Sequence, residues 1–246
     1  MTDITPAVFN TLRSFDTPTI CNVIELFEVR PRNTGYMDAR IRACFPELPP
    51  MVGFAATATF RASAPPGQGG AYAGLADQLE RFGELAGPPV VVFQDLDDPV
   101  VAATFGEVMC STYRAFGAAG LITSGAGRDL EQVRAIDFPV FTTGAICSHG
   151  YVHFPALHVP VNVGGLVIHP NDLLHGDLNG VTTIPVEIAA EVADAGDELV
   201  AAEKIVIDLV QQGSPSLAEF LEARAEMQAR VEGLRRRVAR KANLDR

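Results

Sequence analysis

Long apolar segments are absent from the sequence. The longest apolar runs, residues 88–93 and 159–168, fall far short of the roughly 20 residues that a membrane-spanning helix needs. The first ten residues, MTDITPAVFN, have neither the basic region nor the apolar region of a secretory signal. We therefore expect a cytoplasmic protein without a membrane partner.

Cysteine and positive charge are also scarce. The four cysteines, Cys21, Cys44, Cys110 and Cys147, form no CxxC pair, which argues against a disulfide framework or a zinc ribbon and favours buried thiols. Nineteen basic residues stand against thirty acidic ones, giving a net charge of -11. Because phosphate binding needs clustered positive charge, we expect no nucleic-acid partner. The one basic cluster, residues 235–241, is typical of a helix end, although an acidic partner stays open.

Length and hydrophobic content predict one large core. The chain has 246 residues, of which 48% are hydrophobic. We predict a single catalytic domain over residues 1–210 and a C-terminal helical extension over residues 211–246. Strands and helices alternate through the middle of the chain, and the second half is richer in hairpins. This order predicts an α/β fold with a mixed, layered sheet and flanking N- and C-terminal helices.

Hydrophobic periodicity places the elements approximately. The predicted helices cover residues 6–13, 100–115 and 186–210 and begin near Thr17, Arg128 and Ser216, and the predicted strands cover residues 52–60, 89–94, 120–123, 139–141, 159–165, 166–169 and 180–185. The last helix starts with a capping box of Ser216 and Glu219. Its heptad-like apolar series, which runs from Leu217 to Val238, fits packing on a neighbouring subunit or on its own subunit.

Three charged residues form the most informative pattern. Glu107 follows the segment Thr104-Phe105-Gly106, and Arg128-Asp129 follows after a gap of twenty residues. Each group falls at a predicted strand-to-helix turn, and such turns gather at one edge of an α/β sheet. Two carboxylates and one guanidinium should therefore converge. On spacing alone, a helix-capping glutamate and a surface ion pair are the favoured interpretation.

A converged set of this kind suits a hard divalent cation. Mg²⁺ takes one or two protein carboxylates together with water and chelating substrate oxygens. A 2-oxo acid offers such oxygens, and a Lewis acid stabilises the enolate that forms when the neighbouring carbon–carbon bond breaks. Arg128 can share the developing charge, and backbone N–H groups near Gly106 can hold the substrate carboxylate.

Two longer segments carry a family resemblance. The stretches FGEVMCSTYRAFGAAGLITSGAGRDLEQVRAIDFPVFTTG and VNVGGLVIHPNDLLHGDLNGVTTIP resemble class II pyruvate aldolases of the family that contains 4-hydroxy-4-methyl-2-oxoglutarate/4-carboxy-4-hydroxy-2-oxoadipate aldolase and the regulator of ribonuclease activity A. The similarity runs from about Thr17 to Pro185. It implies a β/β/α swivelling-type sandwich, a homotrimer or homohexamer with sites at subunit interfaces, and Mg²⁺ or Mn²⁺ as the cofactor.

The resemblance also implies roles for individual residues. Asp129 would be a metal ligand, Glu107 would hold the metal or its water, and Arg128 would stabilise the enolate. The backbone of Thr104, Phe105, Gly106, Glu107 and Val108 would bind the carboxylate of the substrate, and Arg128 and His175 would complete the substrate-binding residues. The chain departs from the family pattern where Glu107 replaces a frequent Asp and where Asn22 replaces another Asp. Asn171 replaces the glycine of a Pro-Gly-Asp turn, and asparagine can still adopt a positive φ there.

All five histidines lie between His149 and His175. The pair His149 and His153 fits a transition-metal site only if that segment is helical, and a zinc site needs a third ligand. A proton shuttle beside the metal is a second interpretation, and polar edge residues are a third. The acidic turn at Asp95, Asp97 and Asp98 fits either another ligand or a solvated loop.

The pattern and the resemblance together predict a lyase. It would cleave a 4-hydroxy-2-oxo acid to pyruvate and a carbonyl product through a metal-stabilised enolate, and oxaloacetate decarboxylation is a related expectation. A non-catalytic regulator that binds a partner protein is the alternative from another class, and another metal-dependent dehydratase or decarboxylase of a 2-oxo acid is the third.

Overall fold

The computed structural model of the chain describes residues 4–67 and 74–240. The helices are α1 (Pro6–Ser14), α2 (Thr17–Phe27), α3 (Leu75–Arg81), α4 (Glu107–Ala115), α5 (Leu130–Ala135), α6 (Ala189–Gln211) and α7 (Leu217–Val238). The strands are β1 (Arg42–Ala43), β2 (Met51–Phe60), β3 (Pro89–Asp95), β4 (Ala103–Phe105), β5 (Gly120–Thr123), β6 (Ala126–Gly127), β7 (Val140–Thr142), β8 (Gly144–Ala145), β9 (Val161–Val163), β10 (Leu166–Ile168), β11 (Leu173–Asp177) and β12 (Gly180–Ile184). None of the described helices combines the length and apolar character that crossing a bilayer requires.

Residue contacts divide the chain into two compact units. One unit is Gly35–Val186, and the other comprises the described parts of Met1–Thr34 and Glu187–Arg246. This division differs from the predicted boundary after residue 210, because α6 and α7 share a unit with α1 and α2. Whether residues 1–210 act as one catalytic domain stays a prediction.

A seven-stranded mixed sheet organises the unit Gly35–Val186. Its strand order is β1-β7-β5-β3-β2-β11-β12. The four strands β2, β3, β5 and β7 are parallel, whereas β1, β11 and β12 pair antiparallel at the two edges. The parallel part places the carboxyl ends of β3, β5 and β7 along one edge, where the following turns meet.

Both faces of this sheet are covered. Along β3, Val91 and Phe93 belong to a core that includes α4 and α5, whereas Val90 and Val92 belong to a second core that includes β9 and β10. Side chains alternate between the two faces of a strand, so a strand covered on both sides reads as one continuous apolar run. The layers are helices, main sheet and β-hairpin, which confirms the predicted layered α/β fold.

In the other unit, the helices α1, α2 and α7 begin with side-chain caps, whereas α6 has none. Asp16 accepts a hydrogen bond from the backbone N–H of Thr19 at 2.8 Å to start α2, and the predicted capping box of Ser216 and Glu219 starts α7. Arginines at the end of α7 and just beyond it pair with glutamates of this same unit, as Arg235–Glu28, Arg237–Glu198 and Arg240–Glu191. These three arginines of the basic cluster therefore link the C-terminal helix to its neighbours, and Lys241 lies outside the described residues.

The apolar series of α7 mainly faces its own chain. Leu234 and Val238 are buried, and Phe220, Met227 and Val231 are partly buried. Leu217, by contrast, is 72% exposed. The structure thus shows packing of α7 on its own subunit, and packing on a neighbouring subunit stays a prediction.

Two local predictions were wrong. The segment 100–115 is not one helix, because Thr104 and Phe105 lie in β4, which pairs with β6, and the helix begins only at Glu107. The interpretation of four buried thiols holds for Cys110 alone, since Cys147 is exposed and the other two are partly buried. The two-residue strands β1, β6 and β8 were missed because so short a segment gives no periodic signal, and the five-residue β11 was missed as well.

A glycine pair tests the packing of the main sheet. A Cβ on Gly53 of β2 would lie 2.5 Å from the backbone oxygen of Pro88, whereas a Cβ on Gly83 would meet nothing within 4 Å. We expect Gly53→Ala to lower the free energy of unfolding by about 1–3 kcal/mol, since backbone cannot yield to the added methyl. Gly83→Ala is the control, and denaturant unfolding of both variants measures the difference. Equal stabilities would contradict the packing described for β2.

Candidate functional site

A small parallel sheet brings the two predicted site segments together. Strands β4, β6 and β8 pair in the order β4-β6-β8. At the end of β4, the backbone oxygen of Phe105 accepts a hydrogen bond from the N–H of Arg128 at 3.0 Å. The turn after β4 leads into α4, and the turn after β6 leads into α5. The starts of two helices therefore lie side by side.

Gly106 allows these two turns to touch. A Cβ at this position would lie 2.6 Å from Oδ2 of Asp129 and 3.1 Å from Nε of Arg128. The first distance is shorter than real Cβ contacts allow, so any side chain at residue 106 would displace the carboxylate or the guanidinium. The need for glycine here is steric, because its φ of -158° is ordinary extended backbone.

Asp129 caps a helix other than its own. Its Oδ2 accepts a hydrogen bond from the backbone N–H of Glu107, the first residue of α4, at 3.1 Å. The same oxygen lies 3.7 Å from Nε of Arg128. Asp129 has a φ of 53°, a left-handed conformation that non-glycine residues adopt at a cost of about 1–2 kcal/mol. The structure thus brings Arg128, Asp129 and the backbone of Glu107 together, and the convergence of the Glu107 carboxylate with them stays a prediction.

The converged groups are open to a ligand. The side chains of Arg128 and Asp129 are 26% and 37% exposed, and Glu107 and Val108 lie exposed on the first turn of α4. Gly106 provides no side-chain cap for α4. The N–H of Glu107 donates to Asp129, and the other N–H groups of the first turn have no intrahelical partner. Such a helix start favours an anionic group, for example a carboxylate.

The donor set fits a hard divalent cation better than zinc. Within the described residues, no three His, Cys, Asp or Glu side chains gather as a metal cage. Oδ1 of Asp129 accepts no hydrogen bond from a described residue. Glu107, whose side chain is exposed, is the first residue of the adjacent helix α4. One or two carboxylates with open surroundings suit Mg²⁺ or Mn²⁺, which retain water and bind substrate oxygens.

Thr104 lies beneath the site, and its side chain does not reach the protein surface. It is completely buried, and its Oγ1 accepts a hydrogen bond from Oγ1 of Thr123 at 3.1 Å. Oγ1 of Thr123 in turn accepts from the backbone N–H of Gly125 at 2.9 Å. Phe105 is also buried, with its ring against Gly127. The side chains of these two predicted substrate-binding residues are therefore internal, whereas those of Val108 and Arg128 reach the surface.

The five histidines do not form one cluster. His149 and His153 each place Nδ1 2.8 Å from a nearby backbone oxygen. Nδ1 of His158 lies 3.2 Å from Oε2 of Glu84, and Nδ1 of His169 lies 3.7 Å from Oδ2 of Asp172. His175 is fully buried on β11, in register with Val52 and Thr182. This burial argues against direct contact of the His175 side chain with substrate.

Cys110 is a buried thiol one turn into α4. Burial raises its pKa well above the usual value, and the nearby Cys44 and Asp129 raise it further. A thiol that stays protonated is a poor nucleophile. The candidate groups for chemistry at this site are therefore the carboxylates, the guanidinium and the backbone.

Asp95 is the feature that the sequence pattern did not resolve. It ends β3 and is partly buried, so it is not part of a solvated turn. Burial raises the pKa of its carboxyl to about 6. The hydrogen bond from the backbone N–H of Asp97 lowers this pKa, the carboxylate of Asp97 raises it, and the charge of Arg61 lowers it. The sequence contained one usable signal, namely an acidic residue directly after a strand buried on both faces.

Comparison with known proteins gives a family model that matches most of the chain. The model described as RraA-like, Aldolase/RraA, matches residues 17–183. A protein of Halalkalibacterium halodurans named "Putative 4-hydroxy-4-methyl-2-oxoglutarate aldolase" is 34% identical over 101 residues, which cover 41% of this chain and 48% of that protein. MJ0644 of Methanocaldococcus jannaschii is 27% identical over 112 residues, covering 45% of this chain and 54% of that protein. The chain spans about half the length of these two relatives.

Solved structures show the same fold. An uncharacterized protein of Pseudomonas syringae pv. tomato superposes with a TM-score of 0.70 at 21% identity, over 91% of this chain and 95% of that one. RraAS2 of Streptomyces coelicolor, a member of the RraA protein family, superposes with a TM-score of 0.65 at 23% identity, over 81% of this chain and 95% of that one. These similarities concern the fold alone.

The two aspartates at the end of β3 should respond to pH in opposite ways. The folded-state pKa of Asp95, about 6, lies above its usual value of 3.8, so its contribution to stability is present below pH 3.8 and is lost as pH rises through about 6. Asp95→Asn removes this titration, and its free energy of unfolding should decline less than that of the wild type between pH 3.8 and about 6.

Asp97 is the matched control. Burial alone would raise its pKa, but hydrogen bonds from the Ser63 hydroxyl and the N–H groups of Ala62 and Ser63 outweigh burial, and the charge of Arg61 also lowers the pKa. Its stabilising contribution is therefore present above the usual pKa and is lost as pH falls through the lowered one. Asp97→Asn should destabilise the protein at neutral pH. Parallel pH profiles for both variants in denaturant unfolding would contradict these environments.

Proposed function

Because the chain belongs to the RraA-like, Aldolase/RraA family, we propose that it is a divalent-metal-dependent lyase that cleaves a 4-hydroxy-2-oxo acid to pyruvate and a carbonyl product. The observation that carries the proposal is the convergence of Arg128, Asp129 and the open start of α4 at Gly106. The name of the relative from Halalkalibacterium halodurans supports the same reaction class. Oxaloacetate decarboxylation is a related proposed activity, since it also forms the pyruvate enolate.

Asp129 and Glu107 would hold Mg²⁺ or Mn²⁺. The bound cation would supply Lewis-acid chemistry, drawing electron density from the 2-oxo group of the substrate. The exposed carboxylate of Asp129 has an oxygen available for this purpose, while its other oxygen is occupied by the N–H of Glu107. That hydrogen bond fixes the direction of the carboxylate before any ligand arrives.

The first turn of α4 would bind the carboxylate of the substrate. Its free N–H groups and the positive end of the helix dipole favour an anion, and the exposed Val108 marks the accessible side. Thr104 and Phe105 support this turn from below. Since both are buried, their proposed contribution to substrate binding is through backbone and packing rather than side-chain contact.

Arg128 would stabilise the charge that develops during cleavage. The bond between C3 and C4 breaks as the 4-hydroxyl loses its proton, which yields the carbonyl product and leaves the electron pair on the pyruvate enolate. Protonation of that enolate at C3 then yields pyruvate. A guanidinium beside the 2-oxo oxygen favours the enolate over the ground state, which is the condition for catalysis.

Substitution of the two central residues tests the lyase. With Mg²⁺ or Mn²⁺, purified protein should release pyruvate from at least one member of a panel of 4-hydroxy-2-oxo acids and oxaloacetate, and EDTA should abolish the release. Arg128→Ala should reduce kcat by about 10²–10³-fold. Asp129→Ala should remove the metal-dependent rate. A coupled assay of pyruvate measures the rate under each of these conditions.

Matched controls lie on α5, the helix that follows Arg128 and Asp129. Arg134 pairs with Glu47 on the surface, and Glu131 is exposed in the first turn of α5. Arg134→Ala and Glu131→Ala should keep the wild-type rate. If the wild-type protein turns over no member of the panel with either metal, the lyase proposal fails and a regulator that binds a partner protein becomes the better account.

Gly106→Ala tests the geometry without removing a functional group. The added methyl would meet Oδ2 of Asp129, so the carboxylate must move and the N–H of Glu107 loses its partner. We expect pyruvate formation to fall at least about tenfold, the rate equivalent of about 1.4 kcal/mol. Gly144→Ala, where a Cβ meets nothing within 4 Å, is the control. Full activity of Gly106→Ala would show that the contact is not needed.

The family resemblance also supports a homotrimer or homohexamer with sites at subunit interfaces. Sedimentation equilibrium would distinguish these from the 26.2 kDa monomer. The cytoplasmic location expected from the sequence stays a prediction.

A further inference from the structure

Asp95 lies at the edge of the main sheet where the site segments begin. It is the last residue of β3, and its neighbour β5 ends in the turn that leads to Arg128. The backbone N–H of Asp95 donates to Oγ of Ser124 at 2.9 Å, and Oδ1 of Asp95 accepts from the N–H of Asp97 at 2.9 Å. Both ends of the residue are therefore held, and the carboxyl group has a defined direction.

Oδ2 of Asp95 points to the junction between the two site segments. A Cβ on Gly125 would lie 2.6 Å from this oxygen and 2.2 Å from Oγ1 of Thr104. Both oxygens therefore crowd the same side of Gly125. Thr123 links the other two polar groups, because its hydroxyl donates to Thr104 and accepts from the N–H of Gly125. Asp95 thus contributes the charged member of an otherwise neutral junction.

Short, well-anchored segments lead from this junction to the site. Thr104 is two residues before Gly106, and Gly125 is three residues before Arg128. The backbone oxygen of Gly125 accepts hydrogen bonds from the Thr142 and Thr143 hydroxyls at 2.6 and 2.7 Å. A segment anchored in this way transmits a displacement at Gly125 rather than absorbing it.

We propose that Asp95 is a positioning residue of the site, whose carboxylate braces the junction of Thr104 and Gly125 and strengthens divalent-cation binding at Asp129. The inference rests on the proposed function, because it assumes a cation at Asp129. Nothing in the motif of Glu107 and Arg128-Asp129 includes Asp95, which lies on a different strand. Its effect is exerted through the junction and through its charge.

The charges around Asp95 determine when it acts. Asp97 carries a like charge in the same turn. Arg61, directly after β2, carries the opposite charge, and its Nε lies 3.6 Å from Oδ1 of Asp97. Ser124 and Thr104 are neutral. With a pKa of about 6, the carboxyl of Asp95 is ionised at neutral pH and protonated in mild acid. A cation at Asp129 should therefore bind more weakly as pH falls through this range.

Mn²⁺ binding tests the proposal without relying on turnover. Free Mn²⁺ is measured by electron paramagnetic resonance at pH about 7.5 and about 5, on either side of the Asp95 pKa of about 6. The wild type should bind about fivefold more weakly at the lower pH, the size expected for loss of one nearby charge. Asp95→Asn should already bind that weakly at the higher pH and should show little further change.

Two further variants complete the test. Asp98 is exposed in the same turn, so Asp98→Asn should follow the wild type at both pH values. Arg61 lowers the pKa of Asp95, so Arg61→Gln should move the midpoint of the pH dependence to a higher pH, and this variant serves if Asp95→Asn does not fold. Circular dichroism establishes which variants are folded.

The outcomes separate two failures. If the wild type binds Mn²⁺ but Asp95→Asn has the same affinity and pH dependence, or Arg61→Gln leaves the midpoint unchanged, the role of Asp95 is wrong and the lyase proposal survives. If the wild type binds no Mn²⁺ at either pH, the metal-dependent function fails, and the role of Asp95 fails with it.

Discussion

The hydrogen bond from the backbone N–H of Glu107 to Oδ2 of Asp129 joins two helix starts that are far apart in sequence, and the site depends on it. It satisfies an N–H group that α4 cannot satisfy itself, because Gly106 has no side chain to act as a cap. It also orients the carboxylate so that its second oxygen is available. The bond forms only because residue 106 has no Cβ, since a methyl there would occupy the place of the carboxylate.

The layered fold explains why these helix starts meet. Parallel strands β3, β5 and β7 end at one edge, and the small sheet of β4, β6 and β8 extends the chain beyond that edge. Each of its strands has only two or three residues, so its turns lie close together. The buried hydroxyls of Thr104 and Thr123 fill the space between the two sheets with satisfied hydrogen bonds rather than apolar contacts. Asp95 adds a carboxyl whose raised pKa reflects the same partial burial.

Periodicity predicted the longer helices and most apolar strands, and it missed β11 and the two-residue strands. The strand 89–94 is continuous and apolar because both faces of β3 are covered, and the capping box of Ser216 and Glu219 marks the start of α7 correctly. Asn171 has a φ of 70°, a conformation that the turn allows because asparagine tolerates it. Helix formation at residues 100–106 was wrong because pairing of β4 with β6 outweighs local preference. His175 could not be placed from sequence, since nothing in its neighbours distinguishes an interior strand position from a binding site.

The sequence alone determined the residue types and their order: a glycine before Glu107, an Arg-Asp pair twenty residues later, apolar strands on both sides, and a family resemblance that implies the chemistry. These follow from local pattern, because composition, periodicity and motifs are properties of neighbouring residues. Only the tertiary structure decided which oxygen of Asp129 is occupied, that the side chains of Thr104 and Phe105 are internal, and that Asp95 is partly buried. Each of these depends on contacts between segments brought together by strand pairing, and such distances are set by packing rather than by spacing along the chain.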